Sequence, residues 1–161
     1  MVMCMDNSLI IRKAISDDAP AIQKIIKDAF EKYKNETNLE GSMEALEESI
    51  EDIEKDIETK EVYIAFFDGN PAASIRVAIS SDQTAYISRF GVKLQYHNMG
   101  IGIALMSLVD ELLISKGIKQ AYLHTASKYK TLIRFYYGRG FYVHSTTMEK
   151  GYIRALMVKD Y

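Results

Sequence analysis

The chain has 161 residues, of which 48% are hydrophobic and 26% are charged, and its formal net charge is -2. This composition is typical of a folded soluble protein, so we expect one domain over residues 1–161 and exclude a disordered or collagen-like chain. The near balance of acidic and basic residues argues against a nucleic-acid partner. Residues 101–114 form the longest apolar stretch but contain Ser107, Asp110 and Glu111, so no membrane-spanning segment is expected.

The N-terminal residues carry no targeting or redox signal. Residues 1–8 include Asp6 and lack the basic start and apolar stretch of a secretory signal, so a cytoplasmic protein is expected. Cys4 is the single cysteine, and one thiol cannot form an intramolecular disulfide or a thiolate cluster. The sequence therefore predicts no metal site.

The first third of the chain predicts one strand followed by two helices. Residues 9–11 form a short apolar run typical of a strand. A first helix follows, because Ser16, Asp17 and Asp18 can cap its start. Its apolar residues recur at helical spacing, at Ile22, Ile25, Ile26, Ala29, Phe30 and Tyr33. After a polar link at 34–41, Ser42 is the predicted cap of a second helix. The apolar positions of that helix are Met43, Leu46, Ile50, Ile53 and Ile57.

The second helix has a strongly acidic face. Eight acidic side chains stand between Glu44 and Glu58 against one basic residue, Lys55, which leaves a local surplus of seven negative charges. Such a face is usually solvated and serves solubility. The alternative interpretation is a field that attracts a cationic substrate.

The middle of the chain predicts three strands joined by short turns. Segments 61–67, 72–79 and 84–92 are rich in valine, isoleucine, tyrosine and phenylalanine. Residues 68–71 and 80–82 supply the turns between them. Three successive strands on short turns indicate an antiparallel meander.

The last third predicts an alternation of helices and strands. A long amphipathic helix ends at Lys116 and Gly117. Its apolar positions are Ile101, Ala104, Leu105, Leu108, Val109, Leu112 and Leu113. A strand at 118–125 should be parallel to the strand before that helix, through a right-handed crossover. A short helix at 131–137 and strands at 141–148 and 152–158 complete a mixed α/β sheet with the order β-α-α-β-β-β-α-β-α-β-β.

The segment from Phe90 to Leu105 is the most informative. A strand ends near Val92, and Gly100 and Gly102 open the following helix. The first N–H groups of a helix lack intrahelical partners and lie at the positive end of its dipole, and glycine lets an anion approach the main chain closely. The segment therefore predicts a phosphate site.

Two common phosphate loops do not match this segment. It lacks the Gly-Lys-Ser/Thr of nucleoside triphosphatases, and Leu105 stands where the dinucleotide fingerprint needs a small residue.

Two motifs give the chain a family resemblance. They are His97-Asn98-Met99-Gly100-Ile101-Gly102 and, downstream, Tyr136-Tyr137-Gly138-Arg139-Gly140-Phe141. From Leu9 to its end the chain resembles the GNAT superfamily of N-acetyltransferases, whose Arg/Gln-x-x-Gly-x-Gly/Ala loop and later Tyr-x-x-x-Gly-Phe occur in this order. The resemblance implies the acyl-CoA N-acyltransferase fold and acetyl-CoA as cosubstrate.

The resemblance also implies roles for particular residues. The main chain from Met99 to Ile103 would hold the pyrophosphate of acetyl-CoA, with His97 and Asn98 beside it. The pantetheine arm would pair with the strand at Phe90, Gly91 and Val92. Tyr136 would be the general acid that protonates the leaving thiolate, or else a tyrosine packed in the core.

The sequence departs from the family pattern in four places. His97 replaces the usual Arg or Gln, Leu94 replaces a frequent proline, and Tyr129 replaces a frequent asparagine. The fourth strand has no glutamate to serve as general base. His124, His144, a water relay to a carboxylate, or an amine that arrives neutral remain candidates for that role.

The leading hypothesis is an acetyl-CoA-dependent N-acetyltransferase acting on a primary amine of a small molecule or peptide. The alternatives are an acyl-CoA sensor of the same fold without turnover, and an interaction domain whose acidic helix binds a basic partner. The late strands, such as 141–148, could pair across a homodimer.

Overall fold

A computed structural model describes residues 8–37, 43–149 and 151–161. Seven strands and five α-helices follow one another in these ranges. The strands are β1 (Leu9–Lys13), β2 (Glu61–Phe67), β3 (Asn70–Ile79), β4 (Thr84–Val92), β5 (Gln120–Ala126), β6 (Tyr142–Glu149) and β7 (Tyr152–Asp160). The helices are α1 (Ala19–Thr37), α2 (Glu44–Glu47), α3 (Ile50–Thr59), α4 (Ile101–Ser115) and α5 (Lys130–Gly138). The mixed α/β class and the meander are confirmed.

One sheet contains all the described strands in the order β1-β2-β3-β4-β5-β7-β6. Neighbouring strands are antiparallel except β4 and β5, which are parallel and are joined by the α4 crossover. This confirms the predicted strand, helix, strand unit.

Alternate residues of β2 enter two separate apolar clusters, because successive side chains of a strand point to opposite faces. Val62 and Ile64 pack with α1 and α3, whereas Tyr63 and Ala65 belong to the cluster that contains α4. The helices therefore cover both faces of the sheet.

The predicted second helix is wrong in one respect, since it is broken into α2 and α3. At the break, the Ser49 hydroxyl accepts a hydrogen bond from Asp52 N at 3.1 Å, and the Asp52 carboxylate accepts one from Ser49 N at 3.0 Å. This reciprocal capping box starts a new helix. The proposed cap Ser42 lies outside the described residues.

The predicted polar link at 34–41 is wrong at its start, because α1 continues to Thr37, and residues 38–41 lie outside the described residues. Within the extra turn, Glu36 forms an ion pair with Lys32 one turn earlier and accepts a hydrogen bond from Tyr129 at 2.6 Å. Contacts made far along the chain thus stabilise the last turn of α1.

Within the described ranges, no helix combines the length and the apolar character needed to cross a bilayer. These ranges also contain no group of three side chains that could hold a metal ion.

Candidate active site

Strands β4 and β5 part soon after they meet. Their parallel pairing runs over three residue pairs, from Thr84 with Gln120 to Tyr86 with Tyr122, whereas β5 stays paired with β7 as far as Ala126. The pairing of β3 with β4 is irregular beside Arg89, which has a left-handed φ of 49°. Beyond Tyr86, β4 therefore has no strand partner on its β5 side among the described strands.

The loop after β4 leaves the start of α4 open. Gly100 is the N-cap residue with φ 79°, and Asn98 is also left-handed, with φ 63°. A Cβ built on Gly100 would meet no described atom within 4 Å, and no described side chain caps this helix. The first N–H groups of α4 therefore have no side-chain partner and lie at the positive end of its dipole, an arrangement that suits an anion.

The other two glycines of this region serve packing. A Cβ on Gly102 would lie 3.2 Å from the Phe90 ring and 3.5 Å from the Phe135 ring, and a Cβ on Gly91 would lie 2.9 Å from Ala29 Cβ on α1. The two phenylalanine rings stack with centroids 5.7 Å apart. The missing side chains thus let α4, α5 and α1 approach β4 closely.

Both ring nitrogens of His97 have partners within the protein. Nε2 lies 2.8 Å from the carbonyl oxygen of Val92, and Nδ1 lies 3.4 Å from Lys32 Nζ. Because a carbonyl only accepts, Nε2 is assigned as the donor and Nδ1 as the acceptor from the ammonium group. His97 therefore holds a cation, Lys32, beside the loop, and the sequence pattern alone did not predict that cation.

Tyr136 lies at the floor of the cavity, where only 5% of it is exposed. Its ring packs against Phe90, Phe135 and Phe141. No described residue forms a hydrogen bond with its hydroxyl. Burial raises the pKa of this phenol above its ordinary value, with a smaller contribution from Tyr33, so the phenol keeps its proton at neutral pH.

Where β4 and β5 part, a tyrosine and a histidine from these two strands form a pair. The Tyr86 hydroxyl lies 2.9 Å from His124 Nδ1. Burial lowers the pKa of His124, and the Arg154 guanidinium lowers it further, so the ring is neutral at pH 7. Burial raises the pKa of Tyr86, and Arg154 and Arg89 oppose that shift.

The end of α1 closes over this side of the cavity. The Tyr33 hydroxyl accepts a hydrogen bond from Ala126 N at 2.6 Å, and the Tyr33 ring lies 5.0 Å from the Tyr129 ring. Because these contacts join α1 to the end of β5, they fix the distance between α1 and β5 across the cavity.

A buried arginine ties α2 and α3 to the sheet. Arg76 of β3 has no exposed surface, and its guanidinium donates to both oxygens of Glu48, at 2.5 and 2.7 Å, and to Asp56 at 2.8 Å. Two of the eight acidic residues of this segment are therefore turned inward. The exposed members are Glu44, Glu47, Glu51, Asp52 and Glu58.

These features surround one cavity of about 830 Å³. Of the residues predicted for the donor, Phe90, Gly91, Val92, His97, Asn98, Gly100, Ile101, Gly102 and Ile103 line it, and so does Tyr136. Met99 is half-exposed and is not among the described residues that line the cavity. Of the two histidines considered as base, His124 lines the cavity, whereas His144 is exposed and lies beside Ser145. Sequence reasoning missed Lys32, Tyr33 and Arg76.

The sequence matches the model of the acetyltransferase (GNAT) family over residues 20–141. The chain belongs to the GNAT acetyltransferase family. Membership defines the reaction class as acyl transfer, with acetyl-CoA as cosubstrate. A search of curated protein sequences finds no match.

Solved structures of GNAT proteins share this fold at low sequence identity. The PaiA N-acetyltransferase of Thermoplasma acidophilum, solved with coenzyme A, has a TM-score of 0.81 at 22% identity and covers 96% of this chain and 99% of its own. The ribosomal-protein-S18-alanine N-acetyltransferase of Escherichia coli has a TM-score of 0.77 at 17% identity and covers 95% and 94%. A chimera of the spermidine N-acetyltransferase SpeG from Vibrio cholerae and hSSAT has a TM-score of 0.75 at 14% identity and covers 94% of this chain and 95% of its own.

Proposed function

We propose that this GNAT protein is an N-acetyltransferase that moves the acetyl group of acetyl-CoA to a primary amine of a small molecule or peptide. The observation that carries the proposal is the shared cavity. It joins the unpaired edge of β4 and the open start of α4 to the Tyr86–His124 pair.

The donor would be held chiefly by main-chain groups. The N–H groups at Ile101, Gly102 and Ile103 suit a diphosphate, and Lys32 adds a positive charge beside the loop. The unpaired edge at Phe90–Val92 suits the amide groups of the pantetheine arm and offers N–H donors to the thioester carbonyl.

The general base that the fourth strand lacks would be His124, acting through Tyr86. With the Tyr86 hydroxyl assigned as donor to Nδ1, the phenol oxygen is free to accept a proton from the attacking amine while its own proton passes to the ring. A neutral imidazole is the form that can accept it, and burial together with Arg154 lowers the pKa of His124 in that direction.

The amine nitrogen then bonds to the thioester carbon as the carbon–sulfur bond breaks. The surplus proton of the amine goes to the Tyr86–His124 pair, and Tyr136 gives its proton to the departing thiolate. The products are an amide and free coenzyme A.

The sensor hypothesis makes a different prediction, since it requires binding without turnover. Calorimetry with acetyl-CoA, followed by thiol release with a panel of primary amines, tests both. Thiol release that depends on the amine supports the enzyme. Binding of acetyl-CoA without release by any amine would favour the sensor, and no binding would contradict both.

A homodimer remains a proposal. Strand β6 is the last strand of the described sheet, and its outer edge carries exposed side chains such as Tyr142 and Met148. Such an edge can pair with a second strand.

A further inference from the structure

Arg89 is the cation in the cavity wall whose position is most unusual. It lies at the irregular point of β4 with φ 49°, a conformation that costs a non-glycine residue free energy. A quarter of its side chain is exposed, and it lines the cavity one residue before Phe90. The bulge therefore aims this side chain where a regular strand would not.

The Arg89 guanidinium has one ion-pair partner, Glu48, and no hydrogen bond within the described part of the chain. Its Nε is buried and has no hydrogen-bond partner among the described residues. The Glu48 carboxylate lies 3.6 Å away, beyond hydrogen-bond distance, and both its oxygens already accept from Arg76. The exposed quarter of the side chain likewise has no hydrogen-bond acceptor among the described residues, so it can receive an acceptor from outside the chain.

The other cations that line the cavity have partners. Lys60 lies 3.2 Å from Asp56, Arg154 lies 2.7 Å from Glu149, and Lys32 contacts His97. Arg89 also has an ion-pair partner, Glu48, but at 3.6 Å this contact is the longest of the four, and Arg89 forms no hydrogen bond with a described residue.

The position of Arg89 favours the acceptor over the donor. Its Nε lies 3.6 Å from the Glu48 carboxylate, and its positive charge lowers the pKa of the Tyr86 hydroxyl. The next residue, Phe90, instead stacks on Phe135 towards α5. An anion bound to Arg89 would therefore lie on the side of the Tyr86–His124 pair.

We propose that Arg89 binds an anionic group, a carboxylate or a phosphate, carried by the acceptor amine. The planar guanidinium offers a fork of N–H donors that matches both groups. The acceptor class becomes amines with an acidic group near the reacting nitrogen, such as amino acids, and not the polyamines suggested by the acidic helix. This inference rests on the proposed N-acetyltransferase function.

The test compares matched amines. Amino acids with the carboxylate one, two or three carbons from the amine are each paired with the corresponding carboxamide and aminoalkylphosphonate, and kcat/KM is measured by thiol release. We expect the anionic member to be favoured by about ten- to a hundredfold at one spacing, as for a charge-assisted hydrogen bond. Arg89→Gln should abolish the preference, whereas Lys60→Gln, which removes a paired cation from the same cavity, should keep it.

A second measurement does not depend on turnover. Calorimetry of the N-acetylated acids with the coenzyme A complex should show binding that Arg89→Gln weakens about tenfold or more, while affinity for coenzyme A itself changes by less than about twofold. A stronger preference for phosphonates would support the inference and name phosphate as the source. Equal use of acids and amides, or a preference that survives Arg89→Gln, would overturn it. Failure of the proposed function is distinguishable, because acetyl-CoA then fails to bind or no amine releases thiol.

Discussion

The two halves of the cavity are built in different ways. The half proposed for acetyl-CoA, here called the donor half, offers main-chain groups and missing side chains within the single stretch 90–103, where Gly100 leaves the start of α4 open. The half proposed for the amine, here called the acceptor half, has side chains from four elements and one turn: Tyr33 on α1, Glu48 after α2, Arg89 on β4, His124 on β5 and Arg154 on β7.

This difference explains why substitutions should affect binding differently in the two halves. Main-chain recognition of a diphosphate needs a local backbone shape and tolerates varied side chains, so on this proposal His97 would be tolerated where the family usually has Arg or Gln. Recognition of the acceptor depends on which side chains meet across the sheet, so each substitution there changes what is bound. The experiments below separate the two halves, from the largest expected effect to the smallest.

Breaking the buried ion pair should have the largest effect. Arg76→Met leaves the Glu48 carboxylate, which is 8% exposed, without its main partner. We expect the free energy of unfolding to fall by about 3–5 kcal/mol in urea denaturation. The more exposed pair Lys13–Glu61 is the control, since Lys13 is 60% exposed and Glu61 keeps a second cation, Lys116, at 3.8 Å, so Lys13→Met should cost about 1 kcal/mol or less. Equal costs would show that Arg76 does not stabilise the acceptor half.

Removing the proposed base should affect turnover and its pH dependence. In the parent protein kcat should rise with pH through an apparent pKa below about 6.5, because protonated His124 accepts no proton. The groups that face the ring are Tyr86 on β4 and, on the last hairpin, Arg154, which lowers the pKa of His124, and Glu149, which opposes that shift. His124→Gln should lower kcat about a hundredfold and remove this rise.

His144→Gln is the matched control for the base, since His144 is exposed and outside the described lining. A pH profile of His124→Gln that matches the parent would assign His124 a structural role. Tyr86→Phe combined with His124→Gln should cost little more than either alone, because the two act as one relay.

Blocking the main chain at the start of α4 should weaken the binding of coenzyme A. Gly100→Glu places a carboxylate at the open start of α4, and we expect about a hundredfold weaker binding of coenzyme A in calorimetry. Gly117→Glu is the control, because Gly117 also has a positive φ, of 71°, and open surroundings, but lies at the other end of α4. Similar losses in both variants would attribute the effect to backbone strain.

The smallest effect is expected where the halves meet. Tyr136→Phe should lower kcat at least about tenfold and leave coenzyme A affinity nearly unchanged, since it removes one proton donor from a well-packed ring. Tyr137→Phe is the neighbouring control, because Tyr137 is 53% exposed. Unchanged turnover of Tyr136→Phe would remove this residue from the mechanism and leave it a core tyrosine.

Local patterns were enough for most of the fold. The bounds predicted for β2 and β4 are those observed, because turn residues and β-branched or aromatic runs delimit them. The sequence pattern does not predict the break between α2 and α3, because the apolar spacing continues across it. The capping box at Ser49, which starts α3, lies within that spacing.

The sequence by itself predicts the proposed donor half, because the end of β4, the loop after it and Gly100 offer backbone groups that are adjacent along the chain. It also determined the family, through motifs of the same local kind. Only the tertiary structure decided the acceptor half. Sheet order brings Tyr86 beside His124, and the bulge turns Arg89 into the cavity, while Arg76 takes up Glu48. Charges that are far apart in sequence compete for partners only once the chain has folded, so the sequence alone does not predict which of them are left without a partner.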